Sequence, residues 1–164
     1  MEATTWAIDM LRGAGAVDEI ESILRSSARA AVGADGCTVV RREHDMCFYA
    51  QEDALSPLWQ GQRFPLTDCI SGWSMLNRQT VTVPDIYLDD RIPQQAYRPT
   101  FVRSLLMVPI GHDDPVAAIG VYWADEHSAT AAEITTIERL AAAAASAHAR
   151  IRAKRDDDKT LTGV

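Results

Sequence analysis

A chain of 164 residues, 47% hydrophobic and 24% charged, has the size and balance of one compact domain with a single core, which excludes a disordered or fibrous protein. A net charge of −7 excludes a general nucleic-acid surface, because phosphate binding needs a concentrated basic stripe. No apolar run reaches the roughly 20 residues that span a bilayer, and the N-terminus lacks the basic lead of a signal peptide. A cytoplasmic protein with no membrane partner is expected.

In chain order, residues 1–16 read as a helical lead, with a short helix from Thr5 to Arg12 broken at Gly13-Ala14-Gly15. Asp18 with Glu21 resembles a capping box, and Ile20, Ile23, Leu24 and Ala31 recur at helical spacing, so a helix is predicted over 17–32. From Gly36 the runs CTVVRRE and MCFYAQE flank a turn at His44-Asp45, the pattern of a hairpin. Residues 54–66 carry Pro57, Gly61 and Pro65 and read as loop. A helix is predicted from Ile70 to Asn77, then a short strand in TVTVPD that Pro84 closes. Tyr87 to Thr100, with Pro93 and Pro99, reads as irregular with at most a helical turn or two.

FVRSLLMVPI and PVAAIGVYWAD are two strand signals joined by a turn at Gly111-His112-Asp113-Asp114, and their nearly continuous apolar character places them centrally. Thr130 with Glu133 forms a second capping box, opening a long helix whose face carries Ile137, Leu140, Ala141, Ala144, His148 and Ile151 as far as about Arg155. The basic cluster Arg150, Arg152, Lys154 and Arg155 runs directly into Asp156, Asp157 and Asp158, a solvated helix end rather than a phosphate-binding patch. The domain proper is therefore expected over 17–155, and 156–164 as a polar tail or linker. The order of elements indicates an α+β fold with an antiparallel sheet of five or six strands.

Cys37, Cys47 and Cys69 are an odd number without the CxxC spacing of a metal or redox site, so reduced structural thiols are expected and no metal. Cys69 precedes a helix, where a thiol ionises more easily, yet Asp68 adjoins it and no Lys, Arg or His lies within five residues on either side. Nothing near it in sequence activates it. It is expected to act as a small apolar group.

The entry helix ending AVGADG, then RFPLTDCISGWSM, VPDIYLDDRIPQQAYRPTFVRSLLMVPI and AAIGVYWAD before the last helix, together resemble the GAF domains, within them the group found in bacterial two-component sensor histidine kinases. The resemblance spans roughly residues 17–152. It implies terminal helices on one face of the sheet and, on the other, a small-molecule pocket covered by the segment between residues 54 and 100. It also implies a regulatory module rather than a catalyst, a homodimer through the terminal helices, and a downstream kinase or output domain.

Candidate pocket residues on this basis are Cys69, Trp73, Tyr97, Arg98, Phe101 and Trp123; Asp85 and Arg103 are expected to pair and pin the covering loop. Ile137, Leu140, Ala141, Ala144 and His148 are expected near the dimer seam. No cofactor is identified. Bilin-binding relatives attach their chromophore through a cysteine between the DIY-like and VR-like stretches, and here neither Cys nor His occurs between Tyr87 and Arg103. The NKFDE pattern of cyclic-nucleotide-binding relatives is missing, and the four histidines are poorly placed for haem. Two alternatives accompany the sensor reading: an enzyme similar to the free methionine-R-sulfoxide reductases, and a ligand-free dimerisation relay whose own side chains fill the pocket.

Overall fold

The computed structural model describes residues 2–161. Eleven elements follow one another: α1 (Ala3–Arg12), α2 (Val17–Val32), β1 (Gly36–Glu43), β2 (Met46–Ala54), β3 (Arg63–Pro65), α3 (Ile70–Asn77), β4 (Val81–Val83), α4 (Gln94–Tyr97), β5 (Ser104–Ile110), β6 (Ala117–Trp123) and α5 (Ala131–Leu161). Single 3-10 turns at Leu66–Asp68 and Ile86–Leu88 lead into and out of the middle segment. The six strands form one antiparallel sheet in the order β3-β2-β1-β6-β5-β4. The α+β fold and the strand count agree with the sequence, although the central pair is β1 with β6. β3 falls inside the expected loop, because three residues with one proline carry no periodic signal.

Alternation along the strands divides the interior into two layers. Leu106, Val108 and Ile110 of β5 and Ile119 and Val121 of β6 face one side, where they pack against α1, α2 and α5. Leu105 and Met107 of β5 and Ala118 and Tyr122 of β6 face the other, beneath α3, α4 and their loops. Each fully buried Leu or Ile contributes about 2 kcal/mol, so both layers are needed for a stable domain.

The helical layer corrects the expected cap of α2. α2 has Ala16 at its N-cap with no side-chain cap, and the Gly15 amide is taken instead by Glu19 Oε2 at 3.0 Å. Glu21 is withdrawn from capping because its carboxylate is buried against β1, where Arg41 donates to both oxygens at 2.8 and 2.9 Å. The Thr130–Glu133 box does form, with reciprocal bonds of 2.8 and 3.1 Å.

α5 is longer than the periodicity indicates: the stretch expected as tail from Asp156 is helical to Leu161 and exposed. Ile137, Leu140, Ala141 and Ala144, expected at a dimer seam, are buried against the chain's own sheet and helices, and His148 is half-buried there. An apolar stripe can serve only one partner, and here the sheet has it. Arg150 on the outer flank of α5 donates to the carbonyls of Leu11 (3.1 Å) and Ala14 (2.7 Å), and so caps the C-terminal end of α1.

Candidate functional site

The second layer is closed by aromatic side chains from distant parts of the chain. Trp59, in the loop after β2, sits at its centre. Its ring centroid lies 4.6 Å from that of Tyr97 and 5.6 Å from those of Tyr49 and Tyr122, and its indole N–H donates to the Ala96 carbonyl at 3.0 Å. Glu52 fixes this loop, its two carboxylate oxygens accepting the amides of Leu58, Trp59 and Gln60 at 2.8 to 2.9 Å.

On the far side Gly72 lets α3 pack against the preceding turn, since a Cβ there would come 1.8 Å from the Leu66 carbonyl oxygen. Asp85 and Arg103 pair as expected through two bonds of 3.0 and 3.1 Å, and Arg103 also reaches Glu126 at 2.7 Å. The Arg103 guanidinium holds the Asp85 carboxyl below the usual carboxylate range.

Tyr49, Trp59, Phe64, Cys69, Pro93, Ala96 and Tyr97 enclose a cavity of about 10 Å³, room for one water molecule. Two buried polar atoms of α4 have no hydrogen-bond partner among the described residues: the hydroxyl of Tyr97, which lines the cavity, and Oε1 of Gln94, which does not. Burial pushes the phenols of Tyr49 and Tyr97 well above the ordinary tyrosine range, so both are neutral donors at physiological pH.

Of the six residues expected to line a pocket, Cys69 and Tyr97 do. Trp73 is half-buried at the margin, its ring covered by the Arg91 guanidinium at 4.6 Å. Phe101 packs at the edge over Gly36 and Ala54. Arg98 points to solvent, because the single turn of α4 uses Tyr97 as its inward residue. Trp123 lies in the opposite layer, its ring centroid 4.4 Å from that of His127 with the planes tilted by 49°, since strand parity places it with Ile119 and Val121 rather than with Tyr122. Tyr49, Trp59 and Phe64 were not anticipated; the alternation in MCFYAQE could have marked Tyr49, but nothing local marks Trp59.

Cys69 has neighbours that its sequence context conceals. The Cys47 thiol donates to Cys69, the Ser71 hydroxyl approaches its sulfur at 3.4 Å, and the Gly72 amide adds a third donor. Behind Ser71 stands the Tyr49 hydroxyl at 3.0 Å. With Cys47 first among these donors, the Cys69 thiol is drawn below its ordinary range against the opposition of burial, while Cys47 is driven up and keeps its proton. Cys37, alone in the helical layer, is pushed up to about 11 by burial.

Comparison with known proteins places this architecture. The family model described as GAF domain matches residues 16–148. The fold is similar to the GAF domain of a phosphoenolpyruvate-protein phosphotransferase from Coxiella burnetii, with TM-score 0.80 and 16% identity over 94% of this chain and 95% of that one. It is also similar to free methionine-R-sulfoxide reductase from Neisseria meningitidis in complex with its substrate, with TM-score 0.78 and 14% identity over 93% and 89% of the two chains. Residues 122 to 287 of a methyl-accepting chemotaxis protein give TM-score 0.75 and 16% identity over 88% of this chain and 96% of that chain. No curated protein matches the sequence.

Proposed function

The chain belongs to the GAF domain family, and from that premise we propose that it is a small-molecule-sensing regulatory domain of a bacterial signalling protein. In this reading α4 and the Trp59 loop open to admit a ligand, and the terminal helices relay the change to a kinase or other output domain. The observation that carries the proposal is the buried hydroxyl of Tyr97, which lines the cavity and has no hydrogen-bond partner among the described residues. A buried polar group left unbonded costs about 1–3 kcal/mol, and a ligand supplying a partner recovers that cost only in the bound state. The fold similarity to residues 122 to 287 of a methyl-accepting chemotaxis protein supports the signalling context, and the two-component assignment extends it.

Native mass spectrometry of the protein recovered from its own cells tests the reading. A retained mass, lost on Tyr97→Ala, is the expected result. A bare chain that stays bare in a cell extract would replace the sensor with a ligand-free relay, for which the filled pocket already provides a physical basis.

A second reading has a specific observation behind it. Cys69 lines the cavity and touches Cys47, and the fold is similar to a free methionine-R-sulfoxide reductase. Turnover of free methionine sulfoxide that Cys69→Ser abolishes would establish the enzyme in place of the sensor.

A further inference from the structure

We propose that Cys47 and Cys69 are a peroxide-oxidisable dithiol, a modification site that joins β2 to the start of α3 by a reversible disulfide. The inference stands apart from the ligand proposal, since it needs only the two thiols and a hydroperoxide.

Geometry brings the thiols together. Cys47 pairs with Phe64 across β2 and β3, and its neighbour Met46 pairs with Pro65. The Cys69 thiol folds back to donate to the Pro65 carbonyl oxygen at 3.5 Å, which brings it to that same strand end, within hydrogen-bonding reach of the Cys47 thiol. Tyr49, Ser71 and Cys47 then form a run of hydroxyl and thiol donors ending on the Cys69 sulfur. Such donors stabilise a thiolate, the form that attacks peroxide. Cys69 also borders the cavity beneath α4, which has room for one water molecule and has to widen to admit hydrogen peroxide.

The chemistry closes on these atoms. The Cys69 thiolate attacks one oxygen of hydrogen peroxide; an S–O bond forms, the O–O bond breaks, and hydroxide leaves. Cys69 is now a sulfenic acid, and the negative charge that kept Cys47 protonated has gone. Cys47 sulfur attacks the sulfenic sulfur, forming the S–S bond, and the departing hydroxide carries off the Cys47 proton as water. Two thiols are oxidised and one peroxide is reduced to two waters. Cys37, with its raised pKa and its place in the other layer, takes no part.

Trypsin can cut after Arg63, between the two cysteines, so peptide mapping reads the bond directly. The parent protein is treated with hydrogen peroxide, alkylated in denaturant without reductant, and digested. The expected product is the Cys47 peptide linked to the Cys69 peptide, with Cys37 alkylated, and dithiothreitol reverses it. Cys37→Ser leaves the link unchanged. In Cys47→Ser the reaction stops at a sulfenic acid on Cys69, which dimedone labels at least about tenfold faster than Cys37. The proposal is overturned if peroxide leaves Cys47 and Cys69 separately alkylated, carries Cys69 to the sulfinic acid with no linked peptide, or joins either of them to Cys37.

Discussion

Gly120 leaves open the space that the Tyr122 hydroxyl occupies. A Cβ on Gly120 would come 2.5 Å from that oxygen, 2.8 Å from the Met107 methyl and 2.9 Å from Thr38 Oγ1. The Tyr122 and Thr38 hydroxyls bond to each other at 2.8 Å in this space, with both residues fully buried. The floor of the candidate pocket thus depends on a missing side chain.

Gly120→Ala is accordingly expected to destabilise the domain by about 1–3 kcal/mol, because the added methyl overpacks the layer and separates a buried hydrogen-bonded pair. Chemical denaturation measures the loss. Gly120→Ala combined with Tyr122→Phe should recover part of it, and an unchanged midpoint in the single variant would contradict the packing described.

Glu52→Ala removes the acceptor of three backbone amides and should cost about 2 kcal/mol. Its more informative effect is on Trp59, which loses the fixed loop beneath it. Fluorescence quenching by acrylamide should rise for Glu52→Ala, and a Trp59→Phe background should remove most of that rise. Equal quenching with and without Trp59 would place the disturbance elsewhere.

His148 supplies a pH dependence. Burial, followed by the opposing field of Glu21 and the like charges of Arg152 and Arg41, holds it below its ordinary 6.5. The neutral imidazole is the favoured form in the folded state, so its contribution to stability is present above about pH 6.5 and is lost as the pH falls through the folded-state pKa. Denaturation midpoints should decline on acidification through this window, and His148→Gln should flatten the decline. A parallel decline in parent and variant would assign it to other groups.

The homodimer that the family resemblance implies would need a different surface from the one the periodicity suggests. Ala142, Ser146 and Ala149 of α5 face outward, and Trp6 and Met10 of α1 are also exposed. Ala142→Glu is expected to shift light scattering from twice the 18.0 kDa chain mass toward one while leaving the fold intact. Ala144→Glu places a charge at a fully buried position and should unfold the chain instead. A parent protein that scatters as a monomer at high micromolar concentration would overturn the expectation of a homodimer.

Much of the fold is legible from local chemistry. The two hairpins declare themselves through His44-Asp45 and Gly111 to Asp114, and the Thr130–Glu133 box marks the start of α5, because each signal is complete within a few residues. Reading failed where a long-range partner decided the outcome. Glu21 looks like a capping residue until Arg41 claims it from β1. Trp123 looks like a pocket residue because Ala117–Trp123 is apolar on both faces, and parity along such a strand is settled only by its neighbours. The candidate site was the least legible part. Cys69 appears unactivated in its own stretch, and its contact with Cys47 exists only because the three-residue β3 pairs with β2.

The Arg150 clasp on the carbonyls of Leu11 and Ala14 has a kinetic consequence. If α5 turns or slides, the Ala14 carbonyl loses its guanidinium donor and the Leu11 carbonyl keeps only the Ala14 amide, so the terminal helices should open as one cooperative unit. Amide hydrogen exchange in α1 would then report on α5, slowing and quickening with it even though the two lie at opposite ends of the chain. Arg150→Ala should uncouple them, letting α1 exchange through its own shorter-lived openings while the protons of α5 keep their protection.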